Sequence, residues 1–163
     1  MSDTQSTFHR ALQTLLTELA DGPPGEMCFV LNPGDQGLLR ELESIDAAAA
    51  SARPMPGTTT VAAHVDHVLY GLTLMNRWAG GEENPFATAD WSASWKRGHV
   101  DEHQWRDLVS RLRAALDQWK RNIAARTEWA DVDAAGSMAS VVHLGYHLGA
   151  IRQILAAQGK HKG

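Results

Sequence analysis

Four stretches of the chain carry apolar residues at the three- and four-residue spacing of a single helical face. Ser2 to Ala20 places Phe8, Leu12, Leu15, Leu16 and Leu19 on one stripe, and Ser2 with Gln5 fits a capping box. Asp21-Gly22-Pro23-Pro24-Gly25 ends that helix. Thr58 to Trp78 lines up Val61, Val65, Val68, Leu69, Leu72 and Met75. Asp101 to Thr127 lines up Trp105, Leu108, Val109, Leu112, Leu116, Trp119 and Ile123, with Asp101 and Gln104 placed as a capping box. Ser137 to Gln158 carries Val141, Leu144, Leu148, Ile151 and Leu155.

The intervals are less regular. Met27 to Leu31 is a short apolar run with no second such run to pair with, so an extended segment covering the bundle is expected. Gly37 to Ala50 returns to helix, with Ala47 to Ser51 as its frayed end or a separate turn. Arg53-Pro54-Met55-Pro56-Gly57 is a firm break. Ala79 to His99 is a long irregular connection holding Trp91 and Trp95, and loops of this length are often functional. The pair is expected to plug one end of the bundle ahead of forming a lid. Glu128 to Gly136 is expected to be a polar connection. No linker divides the chain, so residues 1–163 are read as a single all-α domain, a four-helix bundle with a short extra helix between its first and second long helices.

Composition narrows the function classes. Hydrophobic residues are 44% and charged residues 21% of the 163, an ordinary globular balance. The net charge of −4 and the sparse basic clusters at Arg111, Arg113, Lys120 and Arg121 give no nucleic-acid footprint. No run approaches the roughly 18 apolar residues of a membrane span. The start has no apolar leader core, so a soluble cytoplasmic protein is expected. Cys28 stands alone and is read as a small buried hydrophobe in preference to a nucleophile.

His143 and His147 lie four residues apart on the last helix, one above the other along the edge of its stripe. Two imidazoles at that spacing can address one metal ion. Leu144 stands where a zincin would carry its general-base glutamate, which removes that reading. A third histidine must come from another helix. His64 is the candidate and His67 the reserve; they stand about 60° apart around the axis, so one can face the centre while the other faces a rim. Three histidines leave positions open for water or substrate, the pattern of a reactive site. Zn²⁺ and Ni²⁺ suit imidazole, and Fe²⁺ or Cu²⁺ fit as well.

With His64 in VAAHVDHVLYGL and His143 and His147 in VVHLGYHLGAIRQIL, the chain resembles the DinB/YfiT-like superfamily of metalloenzyme-like bundles. That resemblance implies a four-helix bundle with one metal-binding histidine in the second long helix and an H-x-x-x-H pair in the last. It implies the metal set His64, His143 and His147. It also implies a reaction that uses a low-molecular-weight thiol, S-transfer above all, with metal-assisted hydrolysis next. The expected partners are a small-molecule substrate and a second copy of the chain, since a bundle readily adds a two-fold interface. The alternative is a non-enzymatic bundle that binds an apolar ligand or self-associates, with the tryptophans and the long loop as its working part. Tyr70, Tyr146, Asp66, Asn76, Ser140 and Arg152 lie near the histidines in sequence and are assigned no role. His9, His99, His103 and His161 are read as structural or exposed.

Overall fold

The computed structural model describes residues 3–160, with side chains from Thr7 onward, so the capping box at Ser2 and Gln5 and the position of His161 lie outside the described residues. Among those residues the secondary structure is helical throughout: α1 (Asp3–Asp21), α2 (Leu38–Glu43), α3 (Ala47–Ser51), α4 (Val61–Ala79), α5 (Glu102–Ala125) and α6 (Asp131–Ala157), with one 3₁₀ turn at Ala93–Trp95. The four long helices form a bundle in which α1 and α4 each pack on both α5 and α6. Leu16, Leu72, Leu112, Leu116, Leu144 and Ile151 meet in its core.

α5 follows its sequence pattern closely. The Asp101 side chain accepts from the Gln104 N–H while the Gln104 side chain accepts from the Asp101 N–H, a complete capping box. α6 begins at Asp131, several residues before the expected start, so Glu128 to Gly136 is not a connection along its whole length. Asp131 and Asp133 lie in its first turn, where carboxylates favour the exposed N–H groups, and Arg126 pairs with Asp133. Polar composition here marks a helix start and not a loop.

The expected helix over Gly37 to Ala50 divides in two. Asp46 accepts from the Ala49 N–H and starts α3 as its own turn, while the Ser44 hydroxyl donates to the Glu41 carbonyl and closes α2. α2 enters across the end of α1 by a backbone crossing. A Cβ on Gly37 would lie 2.2 Å from the Gly22 nitrogen, so only glycine fits there.

The Met27 to Leu31 run is irregular, and of its residues only Leu31 is buried. Met27, Phe29 and Val30 point outward. The segment is held instead by Glu18 of α1, which is 1% exposed. Its carboxylate accepts from the backbone N–H groups of Phe29, Val30 and Leu31 at 2.7–3.1 Å. Burial alone would raise its pKa; the three N–H donors outweigh that and hold it below the usual carboxylate range. Cys28 is half-buried, and burial together with the carboxylates of Glu18, Asp35 and Glu26 pushes its thiol up, away from nucleophile chemistry.

Candidate metal centre

α4 starts on Thr60, whose hydroxyl accepts from the Ala63 N–H, and this sets the rotation of the helix at its first turn. His64 and His67 follow on the side facing α6, both buried. From α6, His147 is 1% exposed and His143 is half-buried. Four rings therefore meet between two facing helices, the usual place for a bundle to hold a metal.

Their nitrogens are not equivalent. The Nε2 atom of His143 lies 3.2 Å from His67 Nε2 and 3.0 Å from His147 Nε2. Ligand atoms of His67, His143 and His147 all fall within 4.8 Å of one another. Of the set expected from the sequence, His143 and His147 fall in this trio, and His64 falls one ring outside it. His64 Nδ1 approaches the far nitrogen of His147, Nδ1, at 2.8 Å, and its own Nε2 meets the Thr59 hydroxyl at 2.8 Å. The 60° step along α4 thus brings both histidines to α6, each against a different edge of His147.

Hydrogen-bond chemistry fixes one tautomer. The Ser94 hydroxyl donates to the Trp91 carbonyl at 2.7 Å, so its single hydrogen is committed. His67 Nδ1, 2.7 Å from the same hydroxyl, must then donate to it. The free lone pair of His67 is on Nε2, which faces the other two rings. His147 is ordered in the same sense if its Nδ1–H donates to His64 Nδ1 and His64 Nε2–H donates to Thr59. The three Nε2 atoms then hold at most one hydrogen among them, that of His143. Converging lone pairs of this kind suit a cation, and outer hydrogen bonds that fix ligand tautomers are the usual support of such a site.

Burial favours the neutral, ligand-competent rings. It lowers the pKa of His64 and of His143. Burial, then the neighbouring His143 and His64, brings His67 down to about 4. Burial, then His143, His64 and His67, brings His147 down to about 3.

The long loop supplies the cover. Asp90 accepts from the Ser92 hydroxyl and the Ala93 N–H, which starts the 3₁₀ turn and presents the buried Ser94. Tyr70 of α4 accepts the Asp90 N–H at 2.9 Å and ties the loop down. Trp95 stacks on His67 at 4.2 Å between centroids, and Trp91 stands edge-on to Tyr70 at 5.4 Å. The tryptophans therefore sit on the histidine cluster itself.

Ser94, Thr59 and Tyr70 have no periodic signal that assigns these roles; only the Thr-rich start before His64 hints at a helix cap. Asp66 pairs with Arg97, and Arg152 pairs with Asp35 and Glu41, away from the trio. Tyr146 is exposed but lays its ring edge-on to His147 at 5.0 Å. His99 and His103 are exposed, and His9 sits on α1 with its buried Nδ1 unpartnered.

Three comparisons bear on this arrangement. A profile of the DinB superfamily matches residues 35–151, which include all of α4, α5 and the histidine-bearing part of α6. No curated protein and no solved structure matches the chain.

Proposed function

Because the chain belongs to the DinB superfamily, we propose that it is a metal-dependent enzyme whose ion is held by His67, His143 and His147. The observation that carries this reading is the convergence of three Nε2 atoms from buried rings, one with its Nδ1 committed to Ser94 and one with its Nδ1 against His64. His64 is the outer partner that orients His147, and Thr59 orients His64 in turn. The His64, His143, His147 set is the competing assignment. A bound divalent ion would supply Lewis acidity, lowering the pKa of a thiol or of water.

The chain's own groups bind, orient and exclude water. His67 and His147 resist protonation, Ser94 keeps the His67 proton on Nδ1, and Trp95 covers the His67 face. The reaction class is thiol-dependent S-transfer, with metal-assisted hydrolysis as the alternative. Zn²⁺ or Ni²⁺ is the preferred ion and Fe²⁺ the next. The protein works in the cytoplasm as a homodimer, through the side of α6 that exposes Val132, Met138, Val142 and Tyr146. No described helix is long and apolar enough to cross a membrane. That exposed face and the tryptophan-bearing loop also suit a bundle that binds a ligand without catalysis; such a protein would take up no metal.

Elemental analysis and competitive Zn²⁺ titration test the ligand set. His67→Ala, His143→Ala and His147→Ala should each lose stoichiometric metal. His64→Ala should keep it with roughly 10–100-fold weaker affinity, as expected for an outer partner. Full metal in His67→Ala with loss in His64→Ala would reverse the assignment of the two.

A further inference from the structure

A cavity of about 350 Å³ opens beside His143, between α4 and α6. Val68, Leu72 and Met75 form its α4 wall, and Ala139 and Leu144 form part of its α6 wall. Phe86 and Trp91 of the long loop complete it. Among the described residues, no Asp, Glu, Lys or Arg lines it. Its polar side chains are His143 and Ser140, and Ser140 is already engaged. The Ser140 hydroxyl donates to the Ser137 carbonyl at 2.7 Å and accepts from Trp119 Nε1 at 2.9 Å.

His143 is the one residue shared between this chamber and the trio. Its ring also borders Gly71, where a Cβ would lie 3.7 Å from His143 Cε1 and 3.7 Å from the Trp91 ring. Glycine at that position keeps the junction of cavity, tryptophan and histidine open. Beyond Met75, Phe86 and Gly136 the cleft continues into a second cavity of about 330 Å³, whose lining includes Glu83 and Asp133. A carboxylate entering that way meets Glu83 as like charge, Asp133 being paired with Arg126, and a charged body entering the chamber itself would lose its water without gaining a partner.

We propose that the substrate presents an uncharged apolar body to this chamber, one aromatic ring with short substituents or two fused rings, and extends its reacting group past His143 toward the trio. The size follows from volume: an apolar cavity of about 150 Å³ suffices for benzene, and this one is larger. The inference rests on the metal-dependent reading for the direction of the reacting group, but the identity of the body rests on the chamber alone. It also distinguishes the apolar partner from the low-molecular-weight thiol. A thiol cofactor bearing several charges has no place in this chamber and would reach the trio from another side.

The test separates the two readings. Calorimetric titration of the metal-free protein with toluene, benzoate and benzylammonium compares one ring with and without charge. Toluene should bind at least about tenfold more tightly than either charged compound. Gly136→Leu, on a helical position whose added Cβ meets nothing within 4 Å, should weaken toluene by about tenfold or more while raising helix propensity. Equal or tighter binding of benzoate or benzylammonium, or no toluene binding, overturns the proposal. The Co²⁺-loaded protein is then titrated with phenylmethanethiol. A thiolate-to-cobalt absorption band that toluene suppresses competitively supports the direction of the reacting group. Toluene binding with no such band, in protein holding one Co²⁺, overturns that direction. A chain that takes up no metal overturns the metal reading alone, and the toluene series still decides the occupant of the chamber.

Discussion

α5 and α6 are close in length and belong to the same bundle, yet they are built on opposite plans. α5 is amphipathic in the ordinary sense: a stripe from Trp105 to Ile123 is buried, the rest is mostly polar or charged, and a full capping box starts it. α6 has no side-chain cap and carries no Asp, Glu, Lys or Arg between Asp133 and Arg152. It is apolar on nearly all sides, as a helix enclosed by protein would be. One side makes the core through Leu144, Leu148 and Ile151, and a second turns His143 and His147 toward α4. A third exposes Val142 and Tyr146 to solvent. The contrast separates scaffold from site. α5 holds the bundle together, and α6 carries two of the three clustered histidines at some cost in amphipathic order.

Three perturbations sharpen that contrast. The largest acts on α5. Leu116→Ala, at a fully buried position, should destabilise the protein by about 2–5 kcal/mol in urea denaturation. Metal stoichiometry under native conditions should stay unchanged, because none of the proposed ligands lies on α5.

The second is pH, and it acts through α6 and its partner α4. His67 and His147 hold off protonation to about 4 and about 3 in the folded chain. In the unfolded chain they take protons near pH 6.5. Between those values the unfolded state binds more protons, so stability falls as pH is lowered. The urea midpoint of the metal-free protein should therefore decline steadily from about pH 6.5 toward about pH 4. His147→Phe should flatten the decline; an unaltered slope in that variant would remove His147 as a cause.

The smallest effect belongs to the α5 cap. Asp101→Ala should cost about 1 kcal/mol, read as a small shift of the thermal midpoint with metal content unchanged.

The same contrast explains what could be read from the sequence. α5 was legible to its cap because its stripe, its charges and its Asp101–Gln104 pair all report one burial direction. The start of α6 was not, since Asp131 and Asp133 look like loop residues until their place in a first turn is known. The pair at His143 and His147 was visible from spacing on a single helix. The third ring was not, because the choice between His64 and His67 depends on how α4 is rotated against α6, and periodicity within one helix is silent on that. Ser94 and Thr59 were further out of reach. Their roles arise from a loop path and a helix start that only the folded chain brings to the rings.

Glu18 has a consequence for the timing of exchange with solvent. The amides of Phe29, Val30 and Leu31 lie in an irregular stretch that would ordinarily trade hydrogen for deuterium at once, and their acceptor is a buried carboxylate rooted in the last turn of α1. Breaking those bonds strands a buried charge, so the stretch opens only when the last turn of α1 does. In deuterium oxide these three amides should keep their hydrogens as long as the last turn of α1 keeps its own, and the loop should carry its exposed Met27, Phe29 and Val30 as a fixed surface.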